Sequence, residues 1–287
     1  MMLRMTDDLA NKTFIVTGAN TGIGKITARE LARRGARVIL ACRSRDKTQP
    51  VIDEIVRDTG NKNVEFVELD LGDLASVRRC AEDILARKIP IHGLVNNAGL
   101  AGQRGTTKDG FEIQFGTNHL GHYLFTRLLL DRIKQSGPAR IVNVASEAHY
   151  SPKGIDWAAL RAPTKTTTAM REYGVSKLAN VLFAKELARR LEGTGVTTYA
   201  LHPGVVATDV WRRVPRPIAW VMKKFMWTPE QGAQTSLRCA TAAELANQSG
   251  RYYDKTGEER KPNKLAEDPE LAKQLWVKSA EWTGLPA

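Results

Sequence analysis

Short β-rich runs alternate with amphipathic helical patterns along most of this sequence. The first run is Thr13–Thr17, and a helical pattern over 22–34 follows it and ends at Gly35, where a glycine commonly closes a helix. Strands that alternate with helices form βαβ units, whose parallel sheet is covered by helices on both faces. The sequence therefore predicts an α/β fold with a doubly wound parallel sheet of about seven strands. Further strands are predicted at 37–41, 64–69, 93–96, 140–144 and 197–201, with helices near 51–58, after Asp73, over 111–134, near 172–191 and near 229–243.

The composition is that of a globular protein. Of the 287 residues, 42% are hydrophobic and 26% are charged, which supplies a sizeable core and excludes a disordered or fibrous chain. The cysteines Cys42, Cys80 and Cys239 are scattered, so neither a disulfide framework nor a zinc site is indicated and a reducing compartment is expected. No linker or repeat divides the sequence. We therefore expect a single domain over residues 1–287 and no metal.

Two stretches, 147–171 and 209–227, interrupt the alternation directly after predicted strands. Open α/β sheets bind ligands at the carboxyl ends of their strands, so we expect both stretches to be loops that shape a substrate pocket. The second one mixes Trp and Phe with Lys and Arg. That composition is typical of a lid over an apolar substrate and also of a membrane-contact segment. Both interpretations imply a hydrophobic substrate.

The net charge is +12, but the basic residues are interspersed with acidic ones along the chain. A solvated basic surface is the expected meaning, with an anionic cofactor or a membrane surface as alternatives. We expect no nucleic-acid partner, because no nucleic-acid motif accompanies the charge. The sequence contains no apolar stretch long enough for a signal peptide or a spanning helix. The expected localisation is therefore cytoplasmic or peripheral to a membrane.

A glycine cluster lies between the first predicted strand and the first predicted helix. Glycines at such a junction permit a tight turn and let the backbone approach a pyrophosphate, which then lies at the helix N-terminus. The spacing is Gly-x-x-x-Gly-x-Gly, within a Rossmann-type βαβ pattern, and it predicts a dinucleotide site. The residues predicted to bind the cofactor here are Gly18, Asn20, Thr21, Gly22, Ile23 and Gly24.

The end of the second strand favours NADP(H) over NAD(H). Sheets that bind NAD usually place Asp or Glu there, to accept hydrogen bonds from the ribose 2′-hydroxyl. This chain has Arg43 instead, followed by Arg45 and Lys47, and a guanidinium can pair with a 2′-phosphate. The ends of the third and fourth strands are predicted to contact the adenine end and the body of the cofactor. Those residues are Asp70, Leu71, Asn97, Ala98 and Gly99, of which Asn97 can bond either backbone or ribose.

Tyr173 and Lys177 are spaced one helical turn apart in the segment YGVSK. A free tyrosine titrates at about pH 10, which is too high for acid–base chemistry near neutrality. A neighbouring ammonium favours the phenolate and is therefore expected to lower the pKa of Tyr173. Together with Ser146 at the end of a strand, this pair predicts a proton-transferring site.

At this point the sequence resembles the short-chain dehydrogenase/reductase family over nearly its whole length. The matching motifs are TGANTGIG at 17–24, NNAG at 96–99, Asn118, Ser146 and YGVSK at 173–177. Within that family it is most similar to the retinol dehydrogenase branch, through FGTNHLGHYLFT at 115–126, SEAH at 146–149 and LHPGVVATD at 201–209. Relatives in the branch commonly show two serines where this chain has Ala145 and Ser146.

The resemblance implies a role for each matching residue. Tyr173 would transfer the proton, Lys177 would tune Tyr173 and bond the nicotinamide ribose, and Ser146 would hold the substrate oxygen. Asn118 would position a water that links Lys177 to solvent. The resemblance also implies a homodimer or homotetramer that pairs through the two long helices. Residues expected to contact the nicotinamide end of the cofactor are Tyr173, Lys177, Pro203, Gly204, Val206 and Thr208.

Three histidines near these motifs are expected to pack in the core or line the pocket, because no carboxylate spacing supports a metal or a triad. They are His119, His122 and His149, and the last is expected to line the substrate entrance.

The expected function is an NADP(H)-dependent oxidoreductase that interconverts a hydrophobic alcohol and its aldehyde or ketone, such as a retinoid or a lipid-derived carbonyl. The first alternative keeps this chemistry with a steroid, quinone or xenobiotic substrate. The second is a cofactor-sensing scaffold without turnover, which the presence of Ser146, Tyr173 and Lys177 disfavours.

Overall fold

The computed structural model describes residues 8–206 and 227–287. Seven parallel strands form one sheet in the order β3-β2-β1-β4-β5-β6-β7. The order reverses at β1, and a crevice between β1 and β4 is where sheets of this kind bind ligands. The strands are β1 (Thr13–Thr17), β2 (Arg37–Cys42), β3 (Val64–Glu68), β4 (Gly93–Asn96), β5 (Ala139–Val144), β6 (Val196–Leu201) and β7 (Arg251–Tyr253).

Helices cover both faces of the sheet, as the alternation predicts. They are α1 (Gly22–Arg33), α2 (Arg45–Thr59), α3 (Leu74–Ala86), the single turn α4 (Ile113–Phe115), α5 (Gly121–Gln135), α6 (Met170–Arg190), α7 (Pro229–Thr241) and α8 (Pro269–Thr283). A π-helical segment, Gly116–Leu120, joins α4 to α5. Short 3₁₀ turns lie at Glu147–Tyr150 and Ala159–Arg161, inside the first predicted loop.

Side chains of each central strand alternate between two cores. Phe14 and Val16 of β1 enter the core beneath α1, α2 and α7, whereas Ile15 enters the core beneath α3, α5 and α6. Ile15 pairs in register with Ile39 on one side and Leu94 on the other, and all three are fully buried. Burying one such side chain contributes about 1.5–3 kcal/mol, so the alternation fixes the strand register.

Local signals in the sequence locate most element ends correctly. Gly35 follows α1 with φ 84°, the left-handed conformation expected of a glycine that ends a helix. The Asp73 side chain accepts the backbone N–H groups of Ala75 and Ser76 and begins α3 as predicted. Helix α2 is the exception, since it begins at Arg45 and contains Pro50 in its interior. Ser44 caps it by accepting the N–H of Lys47. The helix therefore begins six residues before the predicted start at 51.

The C-terminal part of the chain adds elements that the periodicity does not locate. Strand β7 has only three residues and pairs with β6, and α8 packs against α6 and α5. In that contact Trp276 is buried beside Tyr123 and Phe183. The resemblance predicts that two copies of the chain pair through the long helices α5 and α6. Helix α8 of the same chain contacts both of them.

Candidate active site

A cleft of about 870 Å³ opens at the carboxyl ends of the strands. The first six strands all contribute to it through the residues that follow them, because parallel strands end at the same edge of a sheet. The predicted site residues that line it are Gly18, Asn20, Thr21, Gly22, Ile23, Gly24, Arg43, Asp70, Leu71, Asn97, Ala98, Gly99, Ser146, Tyr173, Lys177, Pro203, Gly204 and Val206. The fold therefore brings together residues that are spread over most of the sequence.

The glycine loop fits its neighbours only because side chains are absent. Gly18 has φ 64°, and a Cβ there would lie 2.9 Å from Cα of Ala98. A Cβ on Gly24 would lie 2.4 Å from Nδ2 of Asn97. Both distances are shorter than real Cβ contacts. The first turn of α1 can therefore lie close to the end of β4, as a backbone cradle for a pyrophosphate requires.

Asn97 bonds the glycine loop rather than pointing freely into the cleft. Its Nδ2 donates to the carbonyl oxygen of Thr17 at 2.8 Å. The hydroxyl oxygen of Thr17 in turn accepts the N–H groups of Asn97 and Ala98 at 3.0 and 2.9 Å. Of the two partners that the sequence left open for Asn97, backbone or ribose, the structure shows the backbone.

The end of β2 presents cations to one end of the cleft. Arg43 is exposed, and Arg43, Ser44 and Lys47 all line the cleft. Arg45 instead lies over the ring of Phe66, with 4.7 Å between its guanidinium carbon and the ring centroid. Of the two cations that follow Arg43 in the sequence, Arg45 and Lys47, only Lys47 is a lining residue. Ser44 was not predicted, although it could have been recognised as the N-cap of the helix that follows Arg43.

Helix α6 carries Tyr173 and Lys177 on one face. Ala169 precedes the helix in a left-handed conformation, φ 56°, and its carbonyl oxygen accepts a hydrogen bond from Nε2 of the buried Gln114 at 2.6 Å. The Lys177 ammonium lies 5.7 Å from the ring centroid of Tyr173. It donates to the carbonyl oxygen of Val144 at 2.9 Å. Ser146, which follows β5, lies close enough to the Tyr173 hydroxyl to lower the pKa of that group.

Burial shifts the pKa of both titratable groups. It raises the pKa of Tyr173 above its ordinary value, and the hydrogen bond from Ser146 offsets this only in part. This corrects the expectation of a lowered pKa: desolvation is the main cause, and the ammonium of Lys177 donates to the carbonyl oxygen of Val144. Burial also lowers the pKa of Lys177 to about 8. The phenol is therefore protonated at neutral pH and can act as an acid.

The comparison with known proteins decides the family. Residues 12–218 match the sequence profile of a family described as short chain dehydrogenase. The chain belongs to this family. It lies in the retinol dehydrogenase-like branch: it is 46% identical to retinol dehydrogenase 13 of Homo sapiens, over 97% of this chain and 86% of that protein. It is also 46% identical to retinol dehydrogenase 12 of Mus musculus, over 96% of this chain and 88% of that protein.

Solved structures show the same fold. An uncharacterized protein from Mycobacterium paratuberculosis superposes with a TM-score of 0.76 at 34% identity, covering 98% of this chain and 99% of that one. An NAD(P) dependent gluconate 5-dehydrogenase from Beutenbergia cavernae, with bound NADP, gives 0.70 at 27% identity, covering 88% and 97%. As a short chain dehydrogenase, the chain is an oxidoreductase of the alcohol–carbonyl type that uses a nicotinamide cofactor.

Asn118 lies beside the cleft of this short chain dehydrogenase rather than in its lining. Its Nδ2 donates to the carbonyl oxygen of Leu100 and to Oγ of Ser176, both at 2.9 Å, and its Oδ1 accepts the N–H of Leu100. The side chain thus ties the end of the NNAG segment to α6. A Cβ on Gly99 would lie 3.3 Å from Oδ1 of Asn118 and 3.4 Å from Nζ of Lys177, so the two side chains are near neighbours.

His149 does not line the substrate entrance, which corrects the expectation from the sequence. It is fully buried, and burial lowers its pKa to about 4. The residues next to it, Glu147 and Ala148, line the cleft instead. The 3₁₀ turn Glu147–Tyr150 causes this difference, because it rotates His149 away from the cleft. His119 and His122 are buried in the core, as expected.

Of the other lining residues, Leu100 was not predicted, whereas Met170 falls in the predicted loop 147–171 and Val205 in the LHPGVVATD motif. All three are apolar, and Met170 and Val205 are exposed. Glu147 approaches His202 with 3.7 Å between carboxylate and ring nitrogen. All of these directly follow or precede predicted elements, but a loop residue carries no periodicity that shows where it points. Thr208 and most of the predicted loop 209–227 lie outside the described residues.

Within residues 8–206 and 227–287, no cluster of His, Cys, Asp and Glu could hold a metal ion. The same part of the chain has no helix that is both long and apolar enough to cross a membrane.

Proposed function

We propose that this short chain dehydrogenase is an NADP(H)-dependent enzyme that interconverts a hydrophobic alcohol and its aldehyde or ketone. The observation that carries the proposal is one cleft with two chemically different ends. Ser146 follows β5 and lines the cleft with Tyr173 and Lys177, whereas Arg43 and Lys47 line it after β2, which is three strands away in the sheet. A dinucleotide phosphate with a reactive nicotinamide requires both.

The chain's residues fit a nicotinamide dinucleotide. The close approach of Gly18 to Ala98 leaves a backbone cradle at the N-terminus of α1, which suits a pyrophosphate. Arg43, which follows β2, and Lys47, in the first turn of α2, suit a 2′-phosphate. No carboxylate lies between the end of β2 and Asp46. The cofactor, when bound, supplies or accepts the hydride at the substrate carbon.

Tyr173 and Ser146 manage the proton and the oxygen. In the reducing direction Tyr173 donates its hydroxyl proton to the carbonyl oxygen, while Ser146 donates a hydrogen bond that stabilises the developing negative charge. In the oxidising direction the phenolate of Tyr173 takes the proton back. Lys177 provides a positive charge at 5.7 Å from the phenol ring, which favours that phenolate once it forms. The water linked to Asn118 remains a prediction.

The apolar mouth supports a hydrophobic substrate. Met170 and Val205 line the cleft and are 38% and 45% exposed, so they offer apolar surface to a hydrophobic substrate. The relatives are named for retinol, so retinoids are the first substrates to test. Localisation at the cytoplasm or a membrane surface, the single domain and the homo-oligomer stay predictions.

The test is turnover of purified protein with a panel of carbonyl compounds and each reduced cofactor. The panel holds retinal, aliphatic aldehydes, steroid ketones and quinones, so that it also covers the alternative substrates. We expect NADPH-dependent reduction of retinal or a long-chain aldehyde that is absent in Tyr173→Phe. NADPH binding without turnover of any compound would contradict the proposal and favour a cofactor-sensing scaffold.

A further inference from the structure

The turn that follows Ser146 is attached to a distant segment near the C-terminus. Tyr150 donates its hydroxyl proton to the carbonyl oxygen of Lys261 at 2.7 Å. Two residues later, Asn263 bonds the same turn through its backbone and its side chain. We propose that Asn263 is a positioning residue that, together with His149, holds Ser146 in place for the reaction. The inference rests on the proposed function, because it assigns Ser146 its role.

His149 transmits the contact to the backbone of Ser146. Its Nδ1 lies 2.7 Å from the carbonyl oxygen of Ser146, which can only accept, so Nδ1 carries the proton. The Nε2 atom is then the acceptor, and the backbone N–H of Asn263 donates to it at 3.2 Å. The neutral ring thus connects both residues with one defined tautomer. Its tilted ring contacts with Tyr150 and Tyr252 hold the ring plane.

The side-chain amide of Asn263 has two N–H donors and lies within hydrogen-bond distance of three carbonyl oxygens of the turn. Its Nδ2 lies 3.0 Å from the carbonyl oxygen of His149, 3.1 Å from that of Tyr150 and 3.2 Å from that of Pro152. Its Oδ1 accepts the N–H of Leu265 and so caps the following 3₁₀ turn. One amide therefore joins the turn after Ser146 to a segment more than a hundred residues away. Only a group that donates on one side and accepts on the other can do this.

The opposite side of the turn is limited by α6. A Cβ on Gly174, the residue after Tyr173, would lie 2.6 Å from Oγ of Ser151 and 3.0 Å from the carbonyl oxygen of Ala148. The turn is therefore held between the helix that carries Tyr173 and the segment that carries Asn263. Releasing the Asn263 side allows the turn to move, and Ser146 moves with it. A displacement of about 1 Å at a reacting group can reduce the rate by about a hundredfold.

The test replaces Asn263 with aspartate and compares it with a matched exchange elsewhere. Asn263→Asp keeps the shape and the acceptor for Leu265 but turns the donor into a carboxylate oxygen that faces three carbonyl oxygens. Asp268→Asn makes the reverse exchange at the N-cap of α8. The Asp268 side chain accepts the N–H groups of Glu270 and Leu271, which lie outside the turn. We expect kcat to fall about 10- to 100-fold in Asn263→Asp and to stay unchanged in Asp268→Asn. The Kd for NADPH should stay within about twofold in both, because the glycine loop is intact.

A second measurement needs no turnover. The N–H of Ala148 donates to Oγ of Ser146 at 3.2 Å, so its hydrogen exchange, followed by NMR, reports where that oxygen lies. We expect faster exchange in Asn263→Asp, approaching that in Ser146→Ala, and unchanged exchange in Asp268→Asn. If the wild type reduces no carbonyl compound, the proposed function is wrong. The hydrogen exchange of the Ala148 N–H then tests by itself whether Asn263 positions Ser146. Unchanged exchange, or an unchanged kcat in a protein that is otherwise active, overturns the positioning role.

Two further variants separate positioning from folding. His149→Asn can still donate to the carbonyl oxygen of Ser146, whereas His149→Leu cannot. We expect His149→Asn to recover part of the kcat that His149→Leu loses, at equal KM. If Asn263→Asp does not fold, Tyr150→Phe removes only the bond to Lys261 from a side chain that is 44% exposed. Two results together would overturn the proposal: a kcat of Tyr150→Phe within error of the wild type, and equal kcat values for His149→Asn and His149→Leu.

Discussion

The hydroxyl oxygen of Thr17 lies 2.8 Å from Nε2 of His122, in the interior between the glycine loop and the π-helical segment. The other ring nitrogen, Nδ1, lies 2.9 Å from the carbonyl oxygen of Asn118 and must therefore carry the proton. Burial lowers the pKa of His122 to about 4, so the ring is neutral at pH 7. Thr17 donates to this ring and keeps its lone pairs for the N–H groups of Asn97 and Ala98. One histidine thus orients the threonine that holds the NNAG segment.

The first prediction concerns this pair. We expect His122→Leu to weaken NADPH binding about 3- to 10-fold, the effect of one buried hydrogen bond, and Thr17→Val to weaken it more, because it also removes the acceptor for the N–H groups of Asn97 and Ala98. Because the two residues act through the same bond, the losses should not add in the double variant, with a coupling of about 1 kcal/mol. Fluorescence titration of the three variants with NADPH measures this. Strictly additive losses would show that His122 acts on the cofactor site by another route.

The second prediction is that Tyr173→Phe abolishes chemistry and spares binding. The substitution removes the proton donor and leaves the ring, so kcat should fall by about 10²- to 10⁴-fold. The Kd for NADPH should change little, because the glycine loop and the residues after β2 are untouched. Steady-state kinetics and a binding titration on the same preparation make the comparison. A variant that retains close to the wild-type kcat would remove Tyr173 from the mechanism.

The third prediction is that Lys177→Met makes the protein inactive and more stable. Burial lowers the pKa of Lys177 from an ordinary 10.5 to about 8, so the folded chain holds a charged group at pH 7 at a cost of about 3 kcal/mol. The substitution relieves that cost but loses the bond to Val144, whose oxygen keeps a donor from Asn180 at 3.3 Å. We expect a net gain of about 1–2 kcal/mol in the free energy of unfolding at pH 7.

The pH dependence gives this third prediction its sign. Between pH 8 and 10.5 the unfolded lysine still holds a proton that the folded one has released. The stability that Lys177 costs the wild type is therefore recovered as the pH rises through this range. The advantage of Lys177→Met should shrink accordingly in urea titrations at pH 7, 8.5 and 10, and Tyr173→Phe serves as the control. An advantage that grows with pH would contradict the assignment.

The fourth prediction separates the cations that follow β2. Arg43→Ala should weaken NADPH more than NADH, shifting the ratio of the two kcat/KM values by about 10- to 100-fold at low salt. Lys47→Ala should shift it in the same direction by less, since a lysine makes no bidentate contact. Arg45→Ala is the matched control, because Arg45 lies over Phe66 outside the cleft lining. The differences should diminish as salt rises. A wild type that prefers NADH, or an Arg45→Ala shift as large as that of Arg43→Ala, would contradict this reading.

Much of the site could be predicted because its signals are local. The glycine loop is recognisable because closely spaced glycines stand between a strand and a helix, and glycine readily adopts the positive φ of Gly18. Tyr173 and Lys177 are recognisable because a spacing of four residues places two side chains on one face of any helix. Asp73 begins α3 through bonds from the N–H groups of Ala75 and Ser76. Each of these depends on residues that are neighbours in the sequence.

The seventh strand could be expected from the fold class but not located. Strand β7 has three residues, and its only described strand partner, β6, ends fifty residues earlier. A strand this short has no periodicity to recognise, and pairing alone stabilises it. The early start of α2 is different, because a local signal decides it: the cap at Ser44 begins the helix ahead of Pro50. Only for β7 does the tertiary environment supply what the local sequence lacks.

The sequence by itself determined the α/β alternation, the glycine loop and the residues that would carry the chemistry. Only the tertiary structure decided how those residues are held. His149 and Asn263 are 114 residues apart, and Thr17 and His122 are 105 apart. Sequence patterns record which face of an element a side chain takes, but not which distant backbone group it meets. That partner is chosen by packing, since a buried donor or acceptor left without one would cost about 1–3 kcal/mol.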